Sequence, residues 1–303
     1  QVYALSGTSL VNKGTIIVND SRFFISPGAP SNVSFTTSDG LFNWNNSGNL
    51  PDPISSTFKD LTISTSCSYA SDLTISGNLI VNANFSPSTA GLNLTFSGSS
   101  GQSISGTGVL NIKKLTLNNS DGLTLSCDTI NIDEFMESTT GAFNQNTNIV
   151  LKSDASTRDG LIKINNESDY TYTSGNFIVE KEFTATQHGY RMISSPVKGS
   201  TLADVDDEFI FCGITDVPLH PASNNFNIAD CGNSHNVLTY NESSDDYTSV
   251  TTVNQSISSA NGTLIYTSSG SYNLIMGGER SPNFDDISYS VTTNGGGYNL
   301  VSN

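Results

Sequence analysis

Two short segments of this sequence recur about 50 residues further along the chain. KDLTI at 59–63 returns as KKLTL at 113–117, and DLTIS at 72–76 returns as GLTLS at 122–126. Between the copies lie further short segments of alternating apolar and polar residues, separated by Gly, Ser and Asn. A period that is filled with several strands and no helix predicts a β-solenoid, in which each coil buries its apolar side against the next. Such a fold presents an extended surface, which favours adhesion or display over catalysis.

The alternating segments predict an all-β chain, a parallel β-helix (solenoid) followed by a β-sandwich-like domain. We expect residues 1–50 to form N-terminal coils or a cap, and residues 51–185 to form the parallel solenoid. After residue 185 the loops lengthen and the strand patterns become more widely spaced. This change predicts that residues 186–303 form an antiparallel, sandwich-like domain.

Charge and hydropathy limit the partners of the chain. The sequence has 28 acidic and 12 basic residues, and its formal net charge is −16. This balance argues against nucleic acid and anionic membranes as partners, since both bind basic surfaces. No segment reaches the roughly 18–20 apolar residues that a membrane helix needs, so we expect no membrane insertion. Gln1 is compatible with a secreted chain from which a signal peptide has been removed.

The four cysteines predict one disulfide and two free thiols. Cys212 and Cys231 lie in a loop-rich stretch, and a disulfide between them would contribute about 3 kcal/mol by loop-closure entropy. Cys67 and Cys127 are about three coils apart in the predicted solenoid, or about 14 Å at the spacing of strands. Because a disulfide needs Cα atoms within about 7 Å, we expect this second pair to stay reduced.

Three segments resemble a family of secreted proteins. The segment GSSGQSISG at 98–106 resembles coils of large surface proteins of the Bacteroidetes, and GYRMISSPV at 189–197 looks like the opening of the domain that follows such solenoids. The segment GYNLVSN at 297–303 is similar to one that ordinarily continues into Pro-Tyr-Pro. The resemblance implies an adhesin-like, extracellular protein that is a substrate of the type IX secretion machinery. It also implies that the chain is truncated before a C-terminal sorting domain.

A carbohydrate-active enzyme or a glycan-binding module on the same scaffold is the alternative function. Glycoside hydrolysis needs two carboxylates that face each other across a groove. Asp128, Asp133 and Glu134 are the best local set, but their spacing suits ordinary outward positions. Adjacent Lys113 and Lys114 should point to opposite sides of their strand. We therefore predict that the chain is not an enzyme, with no catalytic residues and no required cofactor.

Acidic loops and one short motif suggest further sites. The densest acidic run contains Asp204, Asp206, Asp207 and Glu208, which could bind Ca²⁺, although a solvated loop is the favoured interpretation. Asp128-Thr129-Ile130 matches the short pattern at which Bacteroidetes attach O-glycans, so Thr129 is a candidate glycosylation site.

Aromatic residues and histidines are assigned mainly structural roles. Trp44 is expected to be buried in the cap. The tyrosines of the second domain could serve a core or a carbohydrate platform, and the sequence favours the core; these are Tyr240, Tyr247, Tyr266, Tyr272, Tyr289 and Tyr298. The three histidines show no metal-ligand spacing; they are His188, His220 and His235.

Overall fold

The computed structural model contains two compact units, which we describe separately. The first unit comprises residues 1–152 and 158–176, and the second comprises residues 153–157 and 177–303. The division therefore falls after residue 176, so that the strand over 177–185 belongs to the second unit. The structure describes residues 9–11, 15–18, 34–47, 49–50, 57–153, 159–185, 187–205, 211–214, 235–241, 244–257, 263–267 and 270–284.

Strands dominate the described part of the first unit, which also contains a 3₁₀ turn at Glu167–Asp169. The described strands are β1 Ser9–Val11, β2 Thr15–Val18, β3 Ser34–Trp44, β4 Thr57–Ile63, β5 Cys67–Tyr69, β6 Leu73–Ile75, β7 Leu79–Val81, β8 Phe85–Pro87, β9 Asn93–Phe96, β10 Gln102–Ser105, β11 Val109–Asn118, β12 Leu123–Ser126, β13 Thr129–Thr140, β14 Phe143–Asn146, β15 Asn148–Leu151, β16 Leu161–Lys163 and β17 Tyr170–Ser174.

These strands stack in parallel into a solenoid of about five turns. Three sheets run along it, and each turn adds one strand segment to each sheet. Sheet A contains β6, β9, the second halves of β11 and β13, and β16. Sheet B contains β7, β10, β12, β14 and β17. Sheet C contains β5, β8, the first halves of β11 and β13, and β15. The predicted parallel solenoid is confirmed.

The core of the solenoid consists of apolar ladders that all three sheets contribute. In sheet A, Leu73, Leu94, Leu115 and Met136 lie in register on successive coils, and all four are buried. Each such side chain contributes roughly 1.5–3 kcal/mol through burial. Because each coil shields the apolar side of its neighbour, the ladder needs the whole stack to exclude water.

The structural period differs from the recurrence seen in the sequence. Leu94 pairs with Leu115, and Leu115 pairs with Met136, so a central coil is 21 residues long (115 − 94 and 136 − 115). Leu61 lies in sheet B opposite Leu79, whereas its counterpart Leu115 lies in sheet A. The recurrence at 59–63 and 113–117 therefore equates strands of different sheets. It arises because every strand of a solenoid must satisfy the same alternation.

Two strands turn a corner of the solenoid without a loop. Strand β11 belongs to sheet C up to Ile112 and to sheet A from Lys114 onward, and the ladder with β13 shifts register between these residues. At this corner neither Lys113 nor Lys114 is buried. The expectation that these lysines point to opposite sides of the strand is wrong, since both are partly exposed. The reason is that the alternation of inward and outward residues slips by one position at the corner.

Cys67 and Cys127 are buried, free thiols, as their spacing predicted. The registers place them about three coils apart, since Cys67 pairs with Phe85, Phe85 with Leu110, and Leu110 with Ile130. Burial raises the pKa of each thiol to about 12. Since the thiolate is the reactive form, both cysteines are expected to be unreactive near neutral pH.

Trp44 is buried, as predicted, and it is the last residue of β3. Its ring stacks on that of Phe42, with centroids 6.3 Å apart.

The second unit contains a four-stranded antiparallel sheet in the region predicted to be sandwich-like. Its described elements are β18 Phe177–Ala185, β19 Gly189–Ile193, a 3₁₀ turn Leu202–Asp204, β20 Val237–Asn241, β21 Asp246–Ser249, β22 Thr263–Thr267 and β23 Gly270–Gly278. The sheet has the order β19-β22-β20-β21, and β18 forms a separate antiparallel pair with β23. The core of the unit joins one side of the sheet, including Val237 and Ile265, to Leu274 and Met276 of β23. Within the described residues, no helix has the length and apolar character required to cross a bilayer.

Candidate binding surfaces

The side of the antiparallel sheet that faces away from this core carries a cluster of tyrosines and aliphatic side chains. We call this surface the tyrosine face, and it comprises Tyr190, Met192, Leu238, Tyr240, Tyr247, Leu264 and Tyr266. Four of these side chains are exposed: Tyr190 at 45%, Met192 at 45%, Tyr247 at 49% and Tyr266 at 43%. The remaining three are only partly buried. An exposed apolar surface of this kind is typical of a binding site.

Cross-strand pairing fixes the tyrosines of this face in two groups. Tyr190 of β19 lies directly opposite Tyr266 of β22, and their rings meet edge to face with centroids 5.2 Å apart. Tyr240 of β20 lies opposite Tyr247 of β21, and their rings meet in the same way at 5.4 Å. Edge-to-face pairs of this kind stabilise one another by about 0.5–1.5 kcal/mol beyond their burial. The rings are therefore held in defined orientations.

The structure corrects the favoured prediction that the tyrosines of the second domain form a core. Tyr247 and Tyr266 are exposed, and Tyr240 is only partly buried. The side chain of Tyr272 and the whole of Tyr289 and Tyr298 lie outside the described part. Tyr190, which sequence reasoning did not single out, joins the cluster. The local sequence around Tyr190 does not indicate this role. It follows from the register, which places Tyr190 directly opposite Tyr266 of a distant strand.

The carboxylates that suggested hydrolysis form ion pairs with the coil before them. Lys113 binds the carboxylate of Asp133, and the ammonium of Lys114 lies 3.6 Å from an oxygen of Glu134. All four residues lie at the solenoid corner, where β11 and β13 run side by side. Asp128 is exposed and accepts a hydrogen bond from Thr129 at 3.2 Å. The structure therefore brings Asp133 and Glu134 together with lysines rather than with each other across a groove.

A second charged cluster continues this corner on sheet A. Two ammonium groups lie close to the ring of Phe135, that of Lys163 4.2 Å and that of Lys114 5.6 Å from its centroid. Lys163 also pairs with Glu137 at 3.9 Å. These contacts satisfy the lysines locally, because each cation meets both an aromatic face and a carboxylate.

Two neutral polar ladders lie on the outward sides of sheets A and C. Thr74, Thr95 and Thr116 occupy one outward register position on successive coils of sheet A. On sheet C, Asn131 donates a hydrogen bond of 2.8 Å to Asn111 of the preceding coil. The asparagine ladder thus links neighbouring coils, and both ladders have partly exposed hydroxyl or amide groups.

The acidic run of the second unit is described only at Asp204. Its carboxylate accepts hydrogen bonds from the Thr201 backbone amide at 2.7 Å and from Arg280 at 2.6 Å. Asp206, Asp207 and Glu208 lie outside the described residues, so the favoured interpretation as a solvated loop stays a prediction, with a Ca²⁺ site as its alternative. Among the residues that the structure does describe, no three His, Cys, Asp or Glu side chains are arranged to hold a metal ion.

The remaining predicted sites are only partly placed. Cys212 is disulfide-bonded, but Cys231 falls outside the described ranges, so their pairing stays a prediction. Thr129 is partly exposed at the start of β13, and His188 and His235 are exposed. His220 is outside the described residues.

Comparison with known proteins adds no relative. No protein-family model, no curated protein and no solved structure matches this chain.

Proposed function

We propose that this chain is a non-catalytic adhesion or display protein of a cell surface. The solenoid serves as a stiff, polar spacer, and binding takes place on exposed surfaces rather than in an active site. The parallel stack supports this role, because its coils bury a continuous core and leave the outward side chains free to vary.

One observation carries the proposal: the charged side chains at the solenoid corner neutralise one another. Asp133 and Glu134 each lie beside a lysine of the preceding coil. A retaining or inverting hydrolase needs one carboxyl group that can donate a proton and a second across the scissile bond. At this corner each of the two carboxylates is instead held in an ion pair with a lysine, and the two do not face each other across a groove. Around them, the threonine and asparagine ladders offer hydrogen bonds without charge.

Adhesion and turnover can be measured on the same preparation. Microspheres coated with the chain should be retained, in a saturable way, on surfaces coated with mucin, extracellular-matrix protein or bacterial polysaccharide. Soluble chain should compete with this retention, and microspheres coated with albumin provide the control. None of the polysaccharides should be shortened or show new reducing ends. Hydrolysis or elimination that is lost in Asp133→Asn or Glu134→Gln would instead establish an enzyme.

The same proposal includes export by the type IX secretion machinery of a Bacteroidetes cell. The segments at 98–106, 189–197 and 297–303 support it through their resemblance to exported surface proteins. Antibodies against the chain should label intact cells of the producing strain, and the labelling should disappear when the secretion pore is deleted. Equal labelling of both strains would rule this route out.

A further inference from the structure

We propose that the tyrosine face binds a neutral polysaccharide chain. This inference rests on the proposed adhesive function and names the chemical class of its ligand. It is carried by the arrangement of strands β19, β20, β21 and β22, all of which lie in the second unit.

Strand β22 buries its more polar side and exposes its more apolar one. Thr263, Ile265 and Thr267 point into the unit and are buried. Leu264 and Tyr266 point outward, where Tyr266 is exposed. The Oγ1 atom of Thr263 is buried without a hydrogen-bond partner among the described residues. A strand that only needed to fold would place Leu and Tyr inside and Thr outside, so the outward side chains are explained by a ligand.

The two tyrosine pairs lie at opposite corners of the face. Tyr190 and Tyr266 form one cross-strand row, and Met192, Leu264 and Leu238 form the next. The pair of Tyr240 and Tyr247 belongs to the row beyond. The two pairs are thus four residues apart along the strands and two strands apart across them, or about 16 Å at standard spacings. This distance suits several consecutive units of an extended polymer.

The turn between β20 and β21 holds one of these rings in place. The backbone of Asp245 has a φ of +53°, in the left-handed region that residues other than glycine seldom adopt. Its carboxylate accepts a hydrogen bond from the hydroxyl of Tyr240. Tyr240 in turn packs against Tyr247. The exposed ring of Tyr247 therefore meets a ligand with its neighbour already ordered, which lowers the entropy lost on binding.

The uncharged tyrosine face and the negative charge of the whole chain both favour a neutral ligand. None of the side chains that define the tyrosine face is charged, while Asp245 and Asp246 lie at its edge. The whole chain carries a net charge of −16, which repels nucleic acid, acidic polysaccharides and a second copy of the same chain. A pyranose ring offers an apolar C–H side and peripheral hydroxyl groups. Tyrosine matches both, with an aromatic face and a phenolic hydroxyl.

Calorimetric titration of the full chain provides the test. The probes are the hexasaccharides of β-1,4-glucan, α-1,4-glucan, β-1,4-xylan and β-1,4-mannan, with heparin as the anionic comparison. At least one neutral hexasaccharide should bind, and heparin should not. Tyr247→Ala and Tyr190→Ala should each weaken that binding roughly three- to tenfold, because each removes one stacked ring. Tyr247→Phe should stay within about twofold, because the ring remains.

Ile275→Ala is the matched control. Ile275 is an exposed apolar residue of the second unit, on β23 and outside the tyrosine face. Its removal should leave the affinity unchanged, and the circular dichroism spectra of all variants should match that of the parent chain. Equal loss in Ile275→Ala, or affinity for heparin alone, overturns the proposal. So does concentration-dependent dimerisation that Tyr247→Ala abolishes, since a second copy would then be the occupant.

The outcomes separate this inference from the proposed function. If coated microspheres adhere but no neutral hexasaccharide binds, the adhesive function stands and the ligand class is wrong. If a hexasaccharide binds on the tyrosine face and is cleaved, the ligand class stands and the non-catalytic function is wrong.

Discussion

Strand β11 of the solenoid and strand β22 of the second unit alternate in the same way but bury different residues. In β11 the buried positions are Leu110, Ile112, Leu115 and Leu117, and the polar residues face out. In β22 two of the three buried residues are threonines, and Leu264 and Tyr266 face out. The first pattern is explained by folding alone. The second leaves apolar area in water, and such area is expected where a protein binds something.

Chemical labelling of tyrosines should show the largest contrast between the two units. Burial raises the pKa of Tyr69 and Tyr170 in the solenoid, so the reactive phenolate is disfavoured in the folded chain. Nitration at pH 8 should therefore modify Tyr190, Tyr247 and Tyr266 and spare those two residues. Because the pKa is raised, the protection should persist as the pH increases past the ordinary tyrosine value. Peptide mapping by mass spectrometry measures the sites, and rapid nitration of Tyr69 would show that the solenoid core is open.

Truncation of a leucine should cost far more in the solenoid than on the tyrosine face. Leu115→Ala removes a buried side chain between Leu94 and Met136, and we expect it to lower the free energy of unfolding by about 2–5 kcal/mol. Leu264→Ala removes a partly exposed side chain and should cost under about 1 kcal/mol. Denaturant unfolding, followed by circular dichroism, measures both. Equal losses would mean that the tyrosine face is buried in solution.

These two leucines also show what the sequence can and cannot specify. Alternation identified the strands and the parallel solenoid, because in strands such as β11 one side is clearly apolar. The recurrence at 59–63 and 113–117 does not reveal the coil length, since strands of all three sheets share the same pattern. The spacing that placed Cys67 and Cys127 about three coils apart assumes roughly 20 residues per coil, close to the observed 21. In β22 both sides contain apolar residues, so a period of two cannot say which side is covered. The tyrosine face was missed for that reason, and only the pairing of strands distant in sequence reveals it.

A buried amide should matter more than a surface one within the solenoid. Asn119 is buried, and its Nδ2 donates to the Ser100 carbonyl at 2.7 Å and to Gln102 Oε1 at 3.0 Å. Asn119→Ala should lower the free energy of unfolding by about 1–3 kcal/mol, because buried acceptors lose their donor. Asn131→Ala breaks the surface ladder to Asn111, whose groups can bind water instead, and should cost about 0.5 kcal/mol. The same denaturant titration compares them, and a larger loss for Asn131 would contradict the assigned burial.

The corner ion pairs should have the smallest effect. Asp133→Asn removes the partner of Lys113 at a partly exposed position, where we expect a change of about 0–1 kcal/mol that disappears at high salt. Thermal unfolding at low and high ionic strength measures it. Because we assign Asp133 no catalytic role, the variant should keep the same glycan affinity as the parent chain. A lower affinity would place the binding site on the solenoid.

The central claim is that the second unit binds the ligand and the solenoid presents it. Hydrogen–deuterium exchange of the full chain, with and without the neutral hexasaccharide that binds in the calorimetric panel, tests it most directly. We predict slower exchange in peptides that cover 189–193, 237–241, 246–249 and 263–267, and unchanged exchange over 73–151. Protection confined to the solenoid, or no protection with any of the four hexasaccharides, would contradict the account.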